Sequence, residues 1–143
     1  MTQTLPPRLH ELIEDFESFP DWEDRYEYLI ELGFDVPDLP EEFRTEEHRV
    51  QGCTSQVWLV AQVDAGAQPP VMEFLADSDS QIVKGLVAIL LKVYSGRSAE
   101  EIRSFPIEQL FAKLGLHQHL SRSRSNGLHA MVQRIRQLAE QVV

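Results

Sequence analysis

The run from Ser80 to Tyr94 sets the strongest constraint on what this chain can fold into. It contains Ile82, Val83, Leu86, Val87, Ile89, Leu90, Leu91 and Val93. Wound into a helix, these residues leave almost no polar side. Such a helix is stable in water only when other elements enclose it. It is therefore expected to be the central buried helix, and the flanking segments must provide its cover. Asp77-Ser78-Asp79-Ser80 offers several N-cap candidates at its start, and Gly96 reads as its end.

The cover can be read along the chain. Pro6 and Pro7 sit where a helix can begin, and Leu9, Leu12, Ile13 and Phe16 recur at helical spacing before Pro20 stops the segment. Asp21 can cap a second helix carrying Trp22, Tyr26, Leu29 and Ile30, with Gly33 read as its terminator. Residues 34–47 contain two prolines and many acids, the composition of a loop. A strand is predicted from Ser55 through about Val63 and another from Val71 to Leu75, with Met72, Phe74 and Ala76 on one face. The short turn between them, rich in glycine and proline, makes them an antiparallel hairpin. The short segment before Cys53 is expected to add the third strand.

Beyond the central helix, Ser98-Ala99-Glu100-Glu101 has the form of a capping box. Pro106 lies near the start of a further helix ending at Gly115. A last helix from about Ser125 places Leu128, Met131, Val132, Ile135, Leu138 and Val142 on one stripe. The expected class is α+β, a small three-stranded antiparallel sheet laid on helices, in one domain over 1–143.

Charge narrows the function. Residues 1–50 hold 15 acids against 4 bases, within a chain of net charge −10. That balance argues against nucleic acid, which requires a basic surface. An acidic face serves solubility and can also steer a basic protein partner. The N-terminus lacks the layout of a signal peptide, and no apolar run is long enough to span a bilayer. One cysteine cannot form an internal disulfide, so a reducing, cytoplasmic location is expected.

Few residues are candidates for chemistry. His10, His48, His117, His119 and His129 follow no standard zinc spacing, and no metal site is expected from them. A single thiolate is a poor start for an iron–sulfur scaffold. No phosphate-binding glycine pattern and no nucleophile elbow are present. Cys53 remains. A free cysteine often serves only as a small buried hydrophobe. This one, however, follows Gly52 at a strand–loop junction, where glycine permits a tight bend and close approach of another backbone. Both readings stand on the residues alone. Arg49 is the one cation nearby in sequence that can favour a thiolate.

The chain reads Gly52-Cys53-Thr54-Ser55-Gln56-Val57-Trp58, then Asp77-Ser78-Asp79 followed by Ile82-Val83-Lys84-Gly85-Leu86, then Leu120-Ser121-Arg122-Ser123-Arg124-Ser125-Asn126-Gly127-Leu128. In that order these segments resemble the GC-x-SQVW, DSD-x-x-IVKGL and L-x-x-SRS-x-GL signatures of the SufE family, and the similarity extends over roughly residues 8–140. Ser55-Gln56-Val57 places the chain nearer SufE than its CsdE-type siblings. The resemblance implies a SufE/IscU-like fold. It also implies a protein that takes sulfur from a PLP-dependent, SufS-type cysteine desulfurase, stimulates it, and passes the sulfur to a SufBCD-type scaffold complex. Such a protein is a carrier rather than an enzyme and needs no cofactor of its own; a homodimer is compatible with it. Carried over, Cys53 is the persulfide-forming acceptor, and Gly52 lets its loop swing. Ser55 and Gln56 either support that loop by hydrogen bonds or merely end a strand. Asp79 either ties the loop to the central helix or caps that helix. Arg124 either contacts the desulfurase or makes a salt bridge at a helix start. The alternative function is a regulatory module that binds a desulfurase without carrying sulfur.

Overall fold

In the computed structural model, which describes residues 6–142, the apolar run is helix α3 (Gln81–Tyr94). Ser80 caps it, its hydroxyl accepting the Val83 N–H at 3.4 Å. Leu86, Val87, Ile89, Leu90 and Val93 are all buried. The enclosing elements are α1 (His10–Ser18, entered through a 3-10 turn at Pro7–Leu9), α2 (Trp22–Phe34) and the strands β1 (Val57–Asp64) and β2 (Val71–Ser78). They are followed by β3 (Arg97–Ser98), α4 (Ala99–Ser104), α5 (Ile107–Leu114), α6 (Leu116–His119) and α7 (Arg122–Glu140). The fold is α+β. Buried side chains from α1 through α7 form one continuous core. No helix among the described residues is long and apolar enough to cross a membrane.

Asp21 caps α2 as expected, its carboxylate accepting the Asp24 N–H at 3.0 Å. Gly33 does not end that helix, which continues to Phe34. It marks instead where α2 passes closest to α3. A Cβ on Gly33 would lie 3.0 Å from the Gly85 nitrogen, and a Cβ on Gly85 would lie 2.1 Å from the Leu29 carbonyl oxygen. Both glycines are there so that two backbones can touch.

The sheet order is β1-β2-β3, all antiparallel. β1 and β2 pair along their whole length, from Val57↔Ser78 to Asp64↔Val71. Met72, Phe74 and Ala76 are buried, as their alternation requires. The third strand is not the segment before Cys53. That segment makes one bridge, Arg49↔Trp58, with the Val50 N–H donating to the Val57 carbonyl at 2.8 Å. It stops there because the chain turns at Gly52, whose φ is +91°. The third strand is Arg97–Ser98, returned to the free edge of β2 by Gly96 at φ +78°, with the Gly96 N–H donating to the Met72 carbonyl at 2.7 Å.

Ser98 then opens α4 with the reciprocal capping box expected of Ser98 and Glu101. α7 begins at Arg122, earlier than its apolar stripe suggests, because Ser121 accepts the Arg124 N–H at 3.2 Å. Its buried face reaches the sheet. Val57, Leu59 and Ala76 of the sheet, Val87 and Leu90 of α3, and Met131 and Ile135 of α7 surround one gap of about 10 Å³. The loop between Val50 and Val57 is thereby held over the first turns of α7 and the start of α3.

Candidate functional site

Cys53 sits in that loop, half-buried. Its thiol donates to the Gly127 carbonyl of α7 at 3.5 Å, a long contact suited to the weak S–H donor. Gly127 is buried, and a Cβ there would lie 3.5 Å from the sulfur, in direct contact with it. Gly52, with its left-handed backbone, brings the loop so near α7 that a Cβ on it would lie 3.3 Å from the Ala130 methyl. Glycines on both sides of the contact therefore set the thiol against the helix.

The loop is fastened on either side of Cys53. The Thr54 and Ser123 hydroxyls meet at 2.5 Å, tying it to the first turn of α7. On the other side, the Gln56 N–H donates to the Asp79 carboxylate at 3.0 Å, and the Asp79 N–H donates back to the Gln56 carbonyl at 3.2 Å. Asp79 is thus the tie between loop and central helix, and Ser80 is the cap. Gln56 supports the loop through its backbone. Ser55 contributes by lining, together with Cys53, Val83, Arg124, Gly127 and Met131, a gap of about 20 Å³ beside the sulfur. That volume suits about one water-sized atom. Arg124 lies exposed at its rim, and among the described residues its guanidinium forms no ion pair, so the helix-start salt bridge is not made.

Beneath the loop lies a buried charge that the sequence pattern does not announce. Asp77 is 3% exposed in β2 and pairs with Arg44 at 2.5 Å and Lys84 at 3.3 Å. Burial by itself would raise its carboxyl pKa. The Ser78 N–H, Arg44 and Lys84 outweigh that and hold it below the ordinary carboxylate value. Arg44 also lies over the Trp58 ring, 5.1 Å from its centroid. The acidic loop after α2 is thereby clamped to the strand that follows the cysteine.

The electrostatics of the thiol follow from its seat. Burial pushes the Cys53 pKa up, and Arg49 offsets this only in part. At rest the group is a protected thiol rather than an activated thiolate. Among the described residues it belongs to no cluster of metal-ligating side chains. A cavity of about 670 Å³, lined by His10, Ile13, Glu14, Glu17 and Lys113, does not include Cys53. A polar groove of about 330 Å³, with Glu46, Glu47, Arg49, Gln51 and Arg134 on its walls, flanks the loop.

This protection can be measured. Because the folded state favours the protonated thiol, the thiolate fraction should lag behind that of a free cysteine as pH rises. The pH midpoint of iodoacetamide alkylation should then lie above the midpoint of the same chain in denaturant. A folded-state midpoint equal to or below the denatured one would show that burial does not control this thiol.

Comparison with known proteins shows what the chain as a whole is similar to. The family described as SufE, Fe-S metabolism associated domain, matches residues 10–139. The chain is 52% identical over 132 residues to an uncharacterized SufE-like protein of Rhizobium etli, covering 92% of this chain and 89% of that protein. It is 48% identical over 132 residues to another from Rhizobium meliloti, covering 92% and 94% respectively. Among solved structures, the solution structure of a hypothetical protein from Thermus thermophilus superposes with a TM-score of 0.75 at 25% identity, covering 96% of this chain and 97% of that one.

Proposed function

Because this chain belongs to the SufE family and so to proteins associated with Fe–S metabolism, we propose that it accepts sulfur on Cys53 from a PLP-dependent cysteine desulfurase, stimulates that enzyme, and delivers the sulfur to an iron–sulfur scaffold complex. The observation that carries the proposal is the seat of the thiol. The sole cysteine lies on a glycine bend, against a glycine of α7, beside a gap about one atom in size.

The chemistry is an exchange between sulfurs. Once its proton has left to solvent or to a base on the partner, the Cys53 thiolate attacks the outer sulfur of the desulfurase persulfide. A new S–S bond forms on Cys53. The old one breaks, and its electron pair leaves with the desulfurase cysteine as a thiolate. Nothing is oxidised or reduced overall, and no cofactor is needed on this chain. Moving the loop away from Gly127 would remove the burial that favours the protonated thiol, so docking and activation would be one event. Returning it would place the bound sulfur in the gap beside Met131 and Val83, away from oxidants. Arg124, exposed at the rim and free of ion pairs among the described residues, is positioned to meet the incoming partner.

The test is turnover of a SufS-type desulfurase, followed as alanine released from cysteine, with and without this protein. Addition of the chain is expected to raise turnover. An unchanged rate at saturating chain would remove both the acceptor and the activator role.

A further inference from the structure

Away from the thiol, three side chains that are distant in sequence converge on one patch of surface. Glu108 stands in the first turn of α5, His117 on α6 and His129 on α7. One ligand atom from each lies within 4.8 Å of the other two. His117 Nε2 is 2.9 Å from one Glu108 oxygen, and His129 Nδ1 is 3.6 Å from the other. The two imidazoles stack at 5.2 Å with their planes 10° apart. Phe111, fully buried, presents its ring nearly perpendicular to both, at 5.7 Å and 6.4 Å. A rigid core residue thus supports both rings from below, and one carboxylate addresses both from the side.

From this we infer that Glu108, His117 and His129 form a binding site for a divalent late first-row metal ion, with zinc the best match. Two imidazole nitrogens and one carboxylate oxygen are donors that such ions prefer, whereas magnesium and calcium favour all-oxygen sets. Tetrahedral zinc with bonds of about 2.1 Å sets its ligand atoms about 3.4 Å apart, so no donor pair here need move by more than about 1.4 Å. The stacked rings must tilt so that both lone pairs point at the ion, which the exposed His117 side chain can accommodate. Binding displaces any proton on the ligating nitrogens, so affinity falls in acid. Three protein ligands leave a coordination position for water or a partner's side chain. The bound ion would join α5, α6 and α7, and α7 is the helix that seats Cys53.

Zinc chloride titrated into the full-length protein by calorimetry tests this, with Cys53→Ser run alongside because a thiolate is a competing zinc ligand. One ion per chain is expected in both proteins, with no heat from magnesium chloride and a melting temperature that rises with zinc. His117→Asn and His129→Asn should each weaken zinc binding at least about tenfold, with metal-free melting unchanged. Should either histidine variant melt early, Glu108→Gln, which keeps shape and hydrogen bonding, must produce the same loss. Absence of zinc binding, binding that survives both histidine replacements, or binding abolished by Cys53→Ser alone would overturn the assignment.

Discussion

Cys53→Ser is expected to return desulfurase turnover to the rate of the desulfurase alone, even with the variant at saturating concentration. Serine matches cysteine closely in shape, and its hydroxyl can still reach toward the Gly127 carbonyl, so the loop should keep its seat. A hydroxyl cannot take part in thiol–disulfide exchange at neutral pH. All docking contacts would then remain while the receiving atom is gone. This separates the carrier from the regulatory module, because a module that acts only by binding would stimulate equally well with serine at 53. The variant should also still bind the desulfurase and compete with wild type, which distinguishes loss of chemistry from loss of fold.

A second large effect is expected where α2 and α3 cross. Gly85→Ala should destabilise the protein by about 3 kcal/mol, at the upper end of ordinary overpacking, and lower its melting temperature by about 10 °C. The reason is geometric. The new methyl would lie 2.1 Å from the Leu29 carbonyl oxygen and 2.6 Å from its carbon, both backbone atoms of α2. A clashing side chain can rotate away, but a helix backbone cannot, so α2 and α3 would have to separate along their contact. Alanine is otherwise the better helix former, which makes the sign of the result diagnostic. A variant as stable as wild type in thermal or urea melts would show that the two helices do not pack this closely.

These two positions also show what could be read from the order of residues. The fate of the apolar run Ser80–Tyr94 was legible because a helix without a polar face has one solution in water, and it is buried as that demands. Capping at Asp21 and in the Ser98–Glu101 box was legible because the partners lie within a turn of each other. Gly33 and Gly85 were not. A glycine that ends a helix and one that admits a neighbouring backbone look the same in sequence, and only the crossing of α2 and α3 distinguishes them. The third strand is hidden in the sequence for a similar reason. Arg97–Ser98 is two residues long and is defined by its pairing with Val71 and Met72 rather than by any pattern of its own.

At the site, the position of Gly52-Cys53 between a strand and a loop singled out the thiol, and the family signature supplied its proposed role. What seats it was hidden. The Thr54–Ser123 contact spans 69 positions, and the Asp77–Arg44 pair spans 33. Neither has a local signal, although Ser123 and Gly127 both lie in the signature segment at the start of α7. By sequence alone Asp79 fits two roles. The structure assigns it the loop and gives the cap to Ser80. The convergence of Glu108, His117 and His129 is equally nonlocal, since it depends on how α5, α6 and α7 meet.

The central claim, that Cys53 receives the desulfurase's sulfur, is tested most directly by mass. The protein would be incubated with a SufS-type desulfurase and cysteine without added reductant, weighed intact, and then digested to locate any adduct. The expected result is a gain of one sulfur atom, carried on the peptide containing Cys53, removed by dithiothreitol and absent when cysteine is omitted. A chain that stimulates the desulfurase yet keeps its unmodified mass throughout turnover would contradict the account.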